Sequence, residues 1–122
     1  MLPRELLAAS LRRPSVLTWN PMAYVKVAAL SRLAPGEVTE IVVNGNPLAV
    51  CRLQGEVHAI GGICPHQGGP LGQGMLNGAM VTCPWHAWEF DCRTGENDFD
   101  PPARVPTYAV EVRGDDVFVD ID

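Results

Sequence analysis

From Tyr24 onward, apolar residues come in short runs that often alternate with polar ones, and Gly, Pro or Asn separates the runs. A period of two broken so frequently predicts short antiparallel strands, not helices. Strands are expected over residues 24–30, 38–43, 48–53 and 57–60, with Asn44-Gly45-Asn46 as a hairpin turn and Gln54-Gly55 as the next. These read as a meander. A Gly- and Pro-rich stretch, 61–78, then interrupts the pattern, and a structureless insert of that length inside a compact domain points to function. Strands resume at 80–83 and 88–91. A Thr94-Gly95 turn and an acidic loop, 96–102, lead to a closing hairpin of 108–112 and 117–121 around Gly114-Asp115. Before Tyr24, Leu2, Leu6, Leu7 and Leu11 recur at helical spacing, so a short amphipathic helix is expected from Pro3 until Pro14 stops it. The chain thus divides into an N-terminal extension, 1–21, and one all-β domain, 22–122.

Composition supports a single core: 122 residues, 47% of them hydrophobic, suit one domain. The formal charge of −5 has the wrong sign for nucleic acid or anionic lipid. Arg4, Arg12 and Arg13 against Glu5 leave the first 21 residues at +2, so the remainder carries −7. No apolar run approaches the roughly 18 residues that span a bilayer, and Leu6 to Ala9 is too short for the core of a signal peptide. Arg12-Arg13 lacks the longer apolar segment that follows a twin-arginine signal. A cytoplasmic protein that avoids membranes and nucleic acid is expected.

The candidate chemistry lies in and just after the insert. Cys64-Pro65-His66 is separated by sixteen residues, 67–82, from Cys83-Pro84-Trp85-His86. A Cys₂His₂ zinc site is one reading, but zinc spacing usually puts two Cys in one pair and two His in the other, whereas each pair here mixes them. The runs Gly-Gly-Ile-Cys-Pro-His-Gln-Gly-Gly-Pro-Leu-Gly-Gln-Gly at 61–74 and Cys-Pro-Trp-His-Ala-Trp-Glu-Phe-Asp-Cys-Arg-Thr-Gly-Glu at 83–96 resemble the Rieske [2Fe–2S] proteins, and the resemblance extends from about Tyr24 to the C-terminus. It implies the Rieske (ISP-like) fold: an antiparallel strand base with an inserted cluster-binding subdomain at about 61–92. It also implies one [2Fe–2S] cluster per chain, with Cys64 and Cys83 on one iron and His66 and His86 on the other. Two ferric ions, two sulfides and two thiolates sum to zero charge. Neutral imidazoles therefore ease the uptake of one electron compared with four thiolates.

Departures from the family narrow the expectation. In the Rieske members of respiratory complexes each ligand loop carries a second Cys, and the two form a disulfide; the matching positions here are Gly69 and Trp85. The same branch places a Ser and a Tyr whose hydroxyls bond to cluster sulfurs, and the matching positions are Trp88 and Phe90. All four departures indicate the low-potential branch, the Rieske ferredoxins of ring-hydroxylating dioxygenase systems. A mononuclear iron site of an oxygenase needs two more His and a carboxylate, and only His58 remains. The resemblance therefore implies an electron carrier and no enzyme, with a flavin-dependent NAD(P)H reductase and a terminal non-haem iron oxygenase as transient partners. The alternative is the Rieske-like small subunit of an NAD(P)H-dependent nitrite reductase, and a redox-silent structural metal module is a third reading. Docking is expected at a tip formed by His66, Gln67, Pro70, Leu71, Trp85 and His86. Cys51 reads as a buried, reduced, inert thiol, Cys92 sits where the second motif strand turns, and His58 reads as an ordinary half-exposed residue.

Overall fold

Three small antiparallel sheets stack so that the middle one is covered on both faces. The computed structural model describes residues 24–53, 55–65, 68–85, 87–97 and 103–121. The helix expected at 3–12, most of the acidic loop, and His66, Gln67 and His86 lie outside them. In chain order the described strands are β1 (Tyr24–Ala29), β2 (Glu37–Val43), β3 (Asn46–Leu53), β4 (Glu56–Gly61), β5 (Met75–Asn77), β6 (Met80–Thr82), β7 (Glu89–Asp91), β8 (Thr107–Tyr108), β9 (Val110–Arg113) and β10 (Asp116–Asp120). The central sheet runs β2-β3-β4-β8, the base sheet β1-β10-β9 and the third sheet β5-β6-β7.

Alternation along the central strands sorts residues between two cores. Ala49, Cys51 and Ile60 face one way, into a layer that also holds Cys64, Leu71, Val81, Cys83, Phe90, Cys92 and Val105. Leu48, Val50 and Ala59 face the other way and meet Val117 and Val119 of the base. Strand β3 is buried on both faces through Leu48, Ala49, Val50 and Cys51, so it reads as an unbroken apolar run where a one-sided strand would alternate.

The expected meander holds for β2, β3 and β4. Asn44 (φ 51°) and Gly45 (φ 83°) make the predicted hairpin turn, whose left-handed pair matches the strand twist. It does not extend to β1, which leaves for the base and pairs with β10. The reason is burial: Val25 and Val27 pack into the base core with Val117 and Val119, whereas beside β2 they would lie on an open edge. The insert is also more ordered than expected. A 3₁₀ turn at Leu71–Gln73 and strand β5 lie within it, and Met75↔Thr82 to Asn77↔Met80 pair β5 with β6. Gln73 Nε2 donates to Glu40 Oε1 at 2.9 Å and ties the turn to β2.

The connections give the molecule two ends. At one lie the β2–β3 hairpin and the start of the ligand loops, where the Gly62 N–H donates to the Pro47 carbonyl at 2.9 Å. At the other lie Pro35-Gly36, the β3–β4 turn and the β5–β6 turn.

Candidate metal centre

The two Cys-Pro segments sit in loops of the same construction. In each, a cysteine opens a six-residue loop, and its N–H donates to the carbonyl of the sixth residue: Cys64 to Gly69 at 2.8 Å, Cys83 to Trp88 at 2.7 Å. Each cysteine's carbonyl accepts from the N–H of the fifth residue, Gly68 at 2.7 Å and Ala87 at 3.0 Å. Gly68 and Ala87 both take the left-handed conformation, with φ of 79° and 60°. Pro65 and Pro84 hold the second position, where a fixed φ suits the turn and no N–H is needed. For Ala87 this conformation costs about 1 kcal/mol, which the bond to Cys83 and the closed loop sustain.

Each loop is the tip of a ladder. Below the first, Ile63 bridges Pro70 and the Leu71 N–H donates to the Gly62 carbonyl at 2.9 Å. Below the second, Thr82 pairs with Glu89 across β6 and β7, and Thr82 Oγ1 donates to Glu89 Oε2 at 2.9 Å. Gly69 joins the tips. A Cβ built there would lie 2.6 Å from Cys83 Sγ and 3.2 Å from Cγ and Cδ2 of Trp85, closer than packing allows. The second loop thus occupies the space that a side chain at 69 would fill. Gly69 and Trp85, which the sequence matches to the disulfide positions of the respiratory branch, do face each other across the loops.

Cys64 and Cys83 are 1% and 2% exposed, within one apolar layer. As thiolates the two would need a metal to take up their charge, and a soft donor pair of this kind fits a thiophilic metal such as the iron of an iron–sulfur cluster. His66 and His86 fall outside the described residues, and their ligation is carried by the motif alone. Trp88 and Phe90, where hydroxyls would otherwise stand, are packed rings with centroids 6.4 Å apart, and Phe90 is fully buried. The expected tip needs one correction: Leu71 is fully buried beneath the loops, because its 3₁₀ turn aims it into the core. Ile63, 55% exposed, shares the rim with Trp85, 56% exposed. Its place directly before the Cys-Pro-His motif, between Gly62 and Cys64, was the available signal. His58 is half-buried on β4, with Nε2 2.9 Å from Glu56 Oε1.

The space at residue 69 yields a paired prediction. Gly69→Ala should cost about 1–3 kcal/mol of stability through overpacking and lower iron content per chain. Gly68→Ala meets nothing within 4 Å, so only the strain of its φ of 79° remains, about 1 kcal/mol, and iron content should hold. Thermal unfolding and iron analysis of the two variants check this; equal behaviour would show that the space is not the constraint.

Residues 23–109 match the Rieske [2Fe-2S] domain. The ferredoxin component of biphenyl 2,3-dioxygenase from Rhodococcus jostii (strain RHA1) is 37% identical over 103 residues, spanning 83% of this chain and 95% of its own. A ferredoxin solved in complex with the oxygenase of carbazole 1,9a-dioxygenase superposes with a TM-score of 0.73 at 32% identity, covering 80% of this chain and 93% of its own. A chain assigned as the small subunit of an NADH-dependent nitrite reductase from Mycobacterium tuberculosis reaches 0.72 at 28% identity, covering 79% and 92%. Among the described residues no helix is long and apolar enough to cross a membrane. Two equivalent loops that each bury one cysteine, together with a match over most of the chain, place this protein in the Rieske [2Fe–2S] family.

Proposed function

We propose that this chain is a cytoplasmic one-electron carrier, filled by a flavin-dependent NAD(P)H reductase and emptied by a terminal non-haem iron oxygenase. Cys64, His66, Cys83 and His86 would hold its cluster, within a functional unit of residues 22–122. The observation that carries this reading is a pair of matched loops that bury both thiols beneath an exposed apolar rim. Relatives named as ferredoxin components of dioxygenase systems support it, as does the neighbour solved with its oxygenase.

When bound, the cluster stores one electron. The chain's own residues do the rest. The hydrogen bonds that close each loop on itself, with Pro65 and Pro84, keep the backbone of both loops from shifting as charge changes. Leu71, Val81 and Phe90 exclude water from the thiol side. Ile63 and Trp85 offer a partner a small apolar contact, while Glu40 and Glu89 nearby are hydrogen-bonded to Gln73 and Thr82. A contact of this size suits brief association and release.

Trp88 and Phe90 carry no hydroxyl to stabilise the added negative charge, and each such bond is worth roughly 1.5–3 kcal/mol, about 65–130 mV for one electron. The midpoint is expected near the lower end of the Rieske range, about −150 mV. Protein-film voltammetry near neutral pH tests this; a value above about +100 mV would mean other donors replace the hydroxyls and would contradict the oxygenase-ferredoxin reading. Trp85→Ala should remove about 2 kcal/mol of docking energy, roughly thirtyfold in affinity for the oxygenase. Because Trp85 is half-exposed, stability should change less. Titration of the oxygenase with both forms, beside their unfolding curves, measures the two effects.

A further inference from the structure

Cys51 and Cys92 lie apart from the predicted ligands but in the same apolar layer. They are 0% and 1% exposed, and both are reduced. Cys51 belongs to β3, on the face it shares with Ala49 and Leu53. Cys92 follows β7, where its N–H donates to the Ala79 carbonyl at 2.9 Å. Their thiols are in hydrogen-bond contact across the interface between the central sheet and the β5-β6-β7 layer. That bond holds the Cys92 thiol below its ordinary value, and the same bond together with burial raises that of Cys51.

A cleft of about 870 Å³ opens at the end of the molecule opposite the ligand loops, lined among others by Pro35, Leu53, Glu56 and Ala79. Leu53 and Ala79 are half-buried and pack on the core that contains both thiols, so they form a thin wall between the cleft and the pair. His58, directly across from Cys51 in the β3–β4 register, has Nε2 2.9 Å from Oε1 of Glu56, which lines the cleft. Movement of Leu53 or Ala79 would open a way from the cleft toward Cys92, whose N–H is bonded to the Ala79 carbonyl.

We propose that Cys51 and Cys92 are a peroxide-sensitive dithiol that closes to a disulfide between the central sheet and the cluster-bearing layer, distinct from the four cluster ligands. The oxidant is hydrogen peroxide. The Cys92 sulfur attacks one peroxide oxygen, the O–O bond breaks, and the other oxygen leaves as water with the thiol proton, which gives a sulfenic acid. The Cys51 sulfur then attacks the Cys92 sulfur, the S–O bond breaks, and a second water leaves with the Cys51 proton. Two thiols lose two electrons in all, and one peroxide is reduced to two waters. No third cysteine is required, and the bond would tie β3 to the end of β7.

The test uses cluster-loaded protein. It is exposed to hydrogen peroxide, quenched with catalase, unfolded with a chelator and alkylated with N-ethylmaleimide, and its mass and peptide map are recorded. Two of the four cysteines should escape alkylation, the mass before alkylation should fall by two hydrogens, and a peptide joining Cys51 to Cys92 should appear while the visible absorption of the cluster persists. After the same exposure, Cys92→Ala should leave Cys51 fully alkylated, and Cys51→Ala should leave a sulfenic acid at Cys92 that dimedone captures. The proposal is overturned if all four cysteines remain alkylatable at peroxide doses that bleach the cluster, or if the only crosslink joins Cys64 to Cys83. The wild-type map decides this without either variant.

Discussion

The ligand end of this protein depends on a space at residue 69 too small for a methyl group. The Gly69 backbone accepts the N–H of Cys64 on one side and lies against the sulfur of Cys83 and the ring of Trp85 on the other. One residue thereby sets the distance between two loops that are far apart in the chain. With the loops so close, both thiols enter the same apolar layer and lose contact with water. Neutral thiols can be buried there, as Cys51 and Cys92 are, but as thiolates the two would need a compensating charge, which a metal centre would supply. Where the respiratory branch has a covalent cross-loop bond, Trp85 lies against Gly69 here and is still 56% exposed.

The rest of the fold keeps those loops still. The central sheet serves two cores at once, and its double burial explains why so small a domain can support a third, three-stranded sheet. Charge is arranged to match: Glu37, Glu56, Asp115 and Asp116 cluster about the turns at the far end, where Lys26 answers Asp116 at 2.9 Å and Ser31 bonds to Asp115. Among the described residues, those exposed at the loops, such as Ile63, Pro65, Pro84 and Trp85, are apolar. A partner drawn from a distance by the net negative charge would still have to match Ile63 and Trp85 at contact.

Much of this was legible in the sequence because the chemistry is local. The Asn44-Gly45 turn and the strands expected at 38–43, 48–53 and 57–60 depend on neighbours in the chain and form close to where their residues predict, whereas the single strand expected over 108–112 divides, Thr107–Tyr108 pairing with β4 and Val110–Arg113 with β10. The Gly69–Trp85 contact could be expected only through the family's disulfide positions, and the distances bear it out. What the sequence did not reveal depends on long-range packing. Strand β1 carries the same alternation whichever sheet it joins, so its pairing with β10 needs the base core to decide it. Leu71 and Ile63 are equally apolar, and only the 3₁₀ turn and the bridge to Pro70 send one inward and the other out. Cys51 was recognisable as buried from its strand face, but nothing local placed it against Cys92.

The central claim is mixed ligation: two thiolates from the matched loops, and two imidazoles completing the cluster. The chain contains enough cysteines for an all-thiolate cluster, four in all. Their placement argues against one, since Cys51 and Cys92 engage each other and Cys64 and Cys83 sit in the loops. Electron–nuclear double resonance on the reduced protein, grown with ¹⁵N-labelled histidine, distinguishes the cases directly. Strong coupling to two histidine nitrogens, with one lost in His66→Cys or His86→Cys, is the predicted result; a reduced cluster with no histidine nitrogen coupling would contradict the account.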